Sequence, residues 1–184
     1  MADLIPTPSL ATPVEHLKSL IRDVPDFPQP GILFRDVTPL LRHPSAMREV
    51  VAHFAERYRG AGIDVVAGIE SRGFIFGAPL AMELGVGFVP IRKVGKLPAE
   101  KINLEYALEY GTAALEIHVD AVSAGERVLL IDDLLATGGT AAAAAQLVET
   151  LGGQIASVAF LIELEFLAGR DRLDGDDVYS VLKY

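Results

Sequence analysis

The segment Val128–Thr140, VLLIDDLLATGGT, leaves a folding chain few options. Val128 to Ile131 reads as a short buried strand, two acids follow, and the turn Ala136-Thr137-Gly138-Gly139-Thr140 opens an alanine-rich helical stretch to Leu151. A helix N-terminus presents backbone N–H groups without intrahelical partners and a positive dipole end, so an anion is bound there without lysine. Gly138 and Gly139 carry no Cβ to block close approach, and the hydroxyls of Thr137 and Thr140 can donate to phosphate oxygens. Asp132 and Asp133 meet a different need, since carboxylates at a strand end accept hydrogen bonds from vicinal hydroxyls. Either half alone reads equally well as a solvated strand end or a plain helix cap. Together they describe a cradle for a sugar phosphate. Neither G-x-x-x-x-G-K-[ST] nor a strand-borne G-x-G-x-x-G occurs, which argues against a triphosphatase or a dinucleotide enzyme.

The rest of the chain supplies a sheet for this segment. Val65–Ile69, Gly87–Ile91 and Ile155–Ile162 are further apolar runs, and helical stretches at Phe74–Leu84 and Thr140–Leu151 separate most of them. This alternation predicts an α/β fold with a central, mainly parallel sheet flanked by helices. A short helix from Thr12-Pro13 to about Arg22 and another over Ser45–Arg59 precede it. Between Val24 and Pro44 five prolines predict an ordered irregular loop. Leu115–Val119 alternates as a half-exposed strand would, residues 99–111 suit a lid or hairpin, and residues 1–11 suit a loose arm. With 184 residues and no second boundary, one domain over 1–184 is expected.

Composition narrows the partners. A formal charge of −9 disfavours general nucleic-acid binding, which depends on Lys and Arg neutralising phosphates. Without cysteine there are no disulfides and no thiolate sites, and with no membrane-length apolar run and no signal-like N-terminus the expectation is a soluble, unprocessed cytoplasmic protein. His16, His43, His53 and His118 lack a metal-ligand spacing and read as surface or capping residues.

VLLIDDLLATGGT closely resembles the phosphoribosyl diphosphate (PRPP) signature of the type I phosphoribosyltransferases, and specifically of their adenine-using branch. FPQPGILFRDVTPLL (Phe27–Leu41), GIESRGFIFG (Gly68–Gly77), IRKVGKLP (Ile91–Pro98) and YALEYG (Tyr106–Gly111) resemble that branch in order and spacing, so the likeness runs from about Phe27 to Phe166. It implies the type I fold with a lid or hood over the site, and transfer of 5-phosphoribosyl from PRPP to adenine, giving AMP and pyrophosphate. Mg²⁺ would be delivered with PRPP and not caged by the protein, whose expected state is a homodimer without nucleic-acid or membrane partners.

The resemblance also distributes roles. Glu109 alone reads as a surface charge; in LEYG it is the proposed acid/base or electrostatic partner of the purine's imidazole edge, with Tyr110 on the closing lid. Ser71 and Arg72 fall in the pyrophosphate loop, where a cis peptide is common and where Glu70 stands in place of the usual Asp. Arg72 and Lys96 would stabilise the departing pyrophosphate, and Arg92, in a basic cluster with Lys93 and Lys96, would contact it, some of these residues across a subunit boundary. Phe34 would stack on the base, a contact worth roughly 1–3 kcal/mol, with Leu33 and Arg35 reading its edge through their backbone and Leu134 and Leu164 lining its other face. The rival readings are transfer to guanine, hypoxanthine or xanthine, and a non-catalytic sensor of PRPP or a nucleotide.

Overall fold

The computed structural model describes residues 14–107 and 112–184, which fall into two compact units divided between Arg57 and Tyr58. In the first, a 3-10 helix spans Val14–Leu20, followed by β1 (Arg22–Pro25), β2 (Leu33–Asp36), the short helix α1 (Thr38–Leu41) and α2 (Pro44–Tyr58), whose last residue belongs to the second unit. The Thr12-Pro13 cap and the N-terminal arm lie outside the described residues.

Three expectations change here. Arg22 does not end a helix but opens a strand, and the proline-rich stretch holds an antiparallel hairpin in which Arg22 faces Asp36 and Pro25 faces Leu33. Strands of four residues show no usable periodicity, and Pro25 sits at a strand end where its missing N–H breaks no ladder. The turn is closed by the Asp26 carboxylate, which accepts the Gly31 N–H at 2.7 Å; Gly31 has φ +88°, a conformation costly for other residues. Arg22 ties the strands by donating from Nη2 (2.5 Å) and Nε (3.0 Å) to one oxygen, Oδ2, of Asp36. His53, expected at the surface, is buried one helical step from Val50, and burial pushes its pKa down.

The second unit is built on one sheet. Its elements are β3 (Val65–Ile69), α3 (Gly73–Leu84), β4 (Gly87–Lys93), β5 (Lys101–Ala107), β6 (Thr112–His118), β7 (Arg127–Leu135), α4 (Gly139–Thr150), β8 (Gln154–Glu163) and β9 (Val178–Lys183). The order across the sheet is β5-β6-β4-β3-β7-β8-β9. β4, β3, β7, β8 and β9 run parallel, and β6 joins β4 antiparallel at the edge, so the mainly parallel α/β sheet expected from the sequence is present. β3 is buried at every residue, which explains its unbroken VVAGI composition. Ala141, Ala143, Ala144 and Ala145 are buried in α4, where small side chains permit close packing.

Residues 101–107 and 112–118 form an antiparallel hairpin, its paired ends being Ala107 and Thr112; residues 108–111, part of the segment 99–111 expected as a lid or hairpin, lie outside the described set. The half-exposed strand is corrected: Leu115, Glu116 and Ile117 are all buried, because the carboxylate of Glu116 is turned onto backbone N–H groups and not toward water. β9 and two 3-10 turns, Glu165–Leu167 and Gly169–Arg172, complete the chain beyond the expected elements.

Candidate active site

Strand order reverses around β3: its sequence successor β4 lies on one side and β7 on the other. In open α/β sheets ligands bind outside the carboxyl ends of the strands at such a switch point, where the flanking loops diverge. The carboxyl end of β3 carries Glu70, Ser71 and Arg72; that of β7 carries Asp132 and Asp133. Both acids lie inside the strand, which runs on to Leu135 through pairing of Asp132 with Phe160 and Leu134 with Ile162.

A cleft of about 180 Å³ opens there, lined by Arg72, Asp132, Asp133, Leu134 and the whole turn Ala136–Thr140. Phe160, Leu135 and Ala141 complete its wall; nothing local in the sequence marked these three. The first helical bond of α4 runs from the Ala142 N–H to the Gly138 carbonyl at 2.9 Å. The N–H groups before it, at Gly139, Thr140 and Ala141, therefore have no partner within the helix, as an anion cradle requires. Gly138 has φ +80°, and a Cβ there would lie 2.2 Å from the carbonyl oxygen of Gly169. Gly169 meets the turn in return: its own Cβ would stand 2.2 Å from the Ala136 carbonyl. Arg170 pins this back wall, donating to both Glu163 oxygens (2.5 and 2.7 Å) and to the Val178 carbonyl at 2.7 Å. No local motif announces Gly169, because close approach of two distant backbones leaves no periodic signal.

The two acids are differently placed. Asp133 is buried, with Arg72 Nε 2.8 Å from its Oδ2. Asp132 is half-buried; its Oδ1 accepts the Asp133 N–H at 2.8 Å, and Gly73 at the start of α3 packs against it. Burial, then the neighbouring Asp133 charge, push the Asp132 carboxyl well above its ordinary 3.8, and burial raises Asp133 although Arg72 opposes it. An unliganded site thus holds two carboxylates at a cost that a donor or cation would relieve.

The sign of that cost is testable. A carboxyl raised by folding favours the native state while protonated, below its ordinary value, and loses this advantage as pH rises through the raised value. Asp132→Asn keeps the Oδ1 acceptor and removes the charge. It should stabilise the ligand-free protein at pH 7 by about 1 kcal/mol, or roughly 2–4 °C in Tm for a chain of this size, with the gain shrinking toward pH 4. Thermal melts at both pH values check this, and an unchanged or lower Tm at pH 7 would contradict it.

Ser71 is exposed, and the Glu70–Ser71 peptide is cis. The Glu70 carboxylate accepts from Arg92 Nη2 and Nε at 2.9 and 3.2 Å and from the Lys93 N–H at 3.1 Å, which holds it below the usual carboxylate range. Arg92 Nη1 donates to the Lys96 carbonyl at 3.0 Å, so all three guanidinium nitrogens are engaged. Lys96 is exposed, and its charge also acts on Glu70. Leu164 is buried, its N–H donating to the Leu135 carbonyl at 2.9 Å. Tyr106 of β5 reaches the cradle, its hydroxyl 3.2 Å from Thr140 Oγ1. Glu109 and Tyr110 lie outside the described residues.

In the N-terminal unit, β2 carries Leu33, Phe34 and Arg35. Leu33 is exposed, Arg35 is ion-paired with Asp23, and Phe34 is half-buried with the ring of Phe27 edge-on at 5.1 Å. Phe27, which the sequence did not single out, is thus an aromatic neighbour of the residue expected to stack on a base.

A model of the phosphoribosyl transferase domain matches residues 36–182. The adenine phosphoribosyltransferase of Acaryochloris marina is 61% identical over 168 residues, covering 91% of this chain and 99% of the relative. The crystal structure of adenine phosphoribosyltransferase from Thermoanaerobacter pseudethanolicus superimposes with a TM-score of 0.91 at 55% identity, covering 93% of this chain and 99% of its own. That from Saccharomyces cerevisiae, complexed with an imino-altritol bisphosphate and adenine, gives 0.87 at 43% identity, covering 91% and 97%. Agreement along almost the whole chain and a matching sheet lead to one assignment: the chain belongs to the phosphoribosyltransferase family, in its adenine phosphoribosyltransferase branch.

Proposed function

We propose that this protein transfers the 5-phosphoribosyl group of PRPP to adenine, giving AMP and pyrophosphate, and that the cleft at the ends of β3 and β7 is the donor half of its active site. The observation that carries the reading is that one cleft unites a helix N-terminus without a side-chain cap with the buried Asp133 and the half-buried Asp132. Relatives 55–61% identical over more than nine-tenths of the chain bear the adenine enzyme's name.

The 5′-phosphate is assigned to the turn Ala136–Thr140, and the ribose hydroxyls to Asp132 and Asp133. Ser71, Arg72 and Lys96 face the leaving pyrophosphate. The bond from the anomeric carbon to the pyrophosphate oxygen breaks as the bond to a purine ring nitrogen forms, and that nitrogen loses its proton. Glu109 is the acid/base partner at the purine. By the family resemblance Leu33, Phe34 and Arg35 are assigned to the purine, as are Leu134 and Leu164, and Tyr110 is assigned to the lid that excludes water from an oxocarbenium-like centre. Holding both substrates in line is by itself worth several kcal/mol of barrier.

Magnesium fits this chain as a guest of the diphosphate. The carboxylates of Asp133 and the neighbouring Asp132, both lining the cleft, are hard oxygen donors. When bound, Mg²⁺ would neutralise charge on the pyrophosphate. The working state is assigned as a cytoplasmic homodimer, and the exposed Ile75 and Met82 on one face of α3 suit burial by a second copy. No described helix is long and apolar enough to cross a membrane.

Base choice is the sharpest test. With PRPP and Mg²⁺ and equimolar adenine, guanine, hypoxanthine and xanthine, AMP should form in more than tenfold excess over every other nucleotide. Preference for another purine would move the chain to a different specificity, and no nucleotide at all would favour a non-catalytic sensor.

A further inference from the structure

The segment from Val94 to Glu100, between β4 and β5, is exposed at every residue but Leu97. Its backbone is nonetheless gripped by side chains of the neighbouring hairpin. Glu116, fully buried on β6 and paired in register with Arg92 and Asn103, accepts the N–H groups of Gly95 (3.0 Å), Lys96 (2.8 Å) and Leu97 (2.6 Å). Lys101 Nζ donates to the carbonyls of Leu97 (2.9 Å) and Ala99 (3.3 Å), and Arg92 holds the Lys96 carbonyl. Three successive N–H groups converging on one oxygen pair resemble a nest for a free anion, but here the anion is supplied by the protein.

Folding alone does not call for this arrangement. Water can satisfy the N–H groups of an exposed loop, and taking a carboxylate out of water is costly unless its partners are well placed. What the grip achieves is definition. It fixes the backbone of Lys96, whose carbonyl Arg92 ties to Glu70 beside the Ser71 turn.

We propose that Glu116 is a positioning residue for the transfer: by holding the N–H groups of Gly95, Lys96 and Leu97 it sets Lys96 where the pyrophosphate of PRPP is bound and released, with Lys101 completing the grip. The inference rests on the reading of the cleft given above. Glu116 touches no substrate in this account and acts through Lys96.

The test is a double-mutant cycle, which isolates coupling from general damage. Glu116→Gln keeps the shape but turns one acceptor into a donor facing the loop N–H groups. It should raise the KM for PRPP about tenfold while the KM for adenine stays within twofold. In a Lys96→Ala background the same substitution should change the PRPP KM by less than twofold. Equal effects in both backgrounds, or a fall in kcat with both KM values unchanged, would overturn the proposal. If Glu116→Gln does not fold, as thermal melting would reveal, Lys101→Met replaces it, with a PRPP effect of about threefold that again vanishes in Lys96→Ala; persistence of the effect there would overturn the proposal equally. Calorimetric titration with PRPP reads the same coupling without turnover. A wild-type protein inert toward adenine would therefore defeat the assigned reaction and leave the cycle decidable.

Discussion

Glu109→Ala is expected to lower kcat by roughly 10²–10⁴-fold, the usual worth of a positioned acid/base group, while the KM for PRPP changes by less than about threefold. Glu109 falls between Ala107 and Thr112, the paired ends of the hairpin, and three residues after Tyr106, whose hydroxyl meets Thr140 in the cradle. By the resemblance of YALEYG, Glu109 is assigned to the acceptor base, whereas the turn 136–140 and the pair Asp132 and Asp133 are assigned to the donor. Steady-state kinetics in both substrates would check this. A kcat within threefold of wild type would remove Glu109 from the chemistry.

Gly138→Ala should be comparably damaging by a different route. Gly138 is at φ +80°, where a side chain costs about 1–2 kcal/mol, and its Cβ would stand 2.2 Å from the Gly169 carbonyl oxygen, a backbone atom unable to swing aside. Arg170 fixes that backbone through its Glu163 pair, so relief requires moving the 3-10 turn away from β8. We expect a loss of about 3 kcal/mol or more in unfolding free energy, at the upper end of ordinary single substitutions, with at least a hundredfold weaker PRPP binding in whatever folds. Urea unfolding and calorimetry test the two parts. A variant of wild-type stability that still binds PRPP would show that the cradle does not depend on this approach.

Much of the donor site was legible in the sequence because its chemistry is local. The apolar strand, the acid pair and the Gly-Gly turn are contiguous, and the geometry of a strand entering a helix follows from that order. The structure sharpened it by carrying the strand through both acids, with Asp132 paired to Phe160 of β8, Asp133 buried and Asp132 half-buried at the cleft. The hairpin of β1 and β2 was illegible because four-residue strands flanked by proline look like loop. Glu116 misled for the opposite reason: polar and apolar residues alternate as on a half-exposed strand, but the carboxylate is buried by hydrogen bonds to a loop some twenty residues away in sequence. Gly169 is the same kind of case, since its role is set by the backbone of a turn that the sequence places far from it. For Glu109 and Tyr110 the motif YALEYG remains the ground of the assignment.

Arg92 shows how geometry redistributes roles within a basic cluster. The sequence groups it with Lys93 and Lys96 as pyrophosphate contacts, yet its guanidinium bridges Glu70 and the Lys96 carbonyl. In that position it joins the β3 turn to the loop that Glu116 holds, and a direct contact with pyrophosphate would require it to leave Glu70.

The central claim is most directly tested by mixing the protein with PRPP, Mg²⁺ and adenine and following AMP and pyrophosphate together. The account predicts equimolar appearance of both products, with no pyrophosphate released when adenine is omitted. Pyrophosphate release that ignores adenine, or the absence of both products, would contradict it.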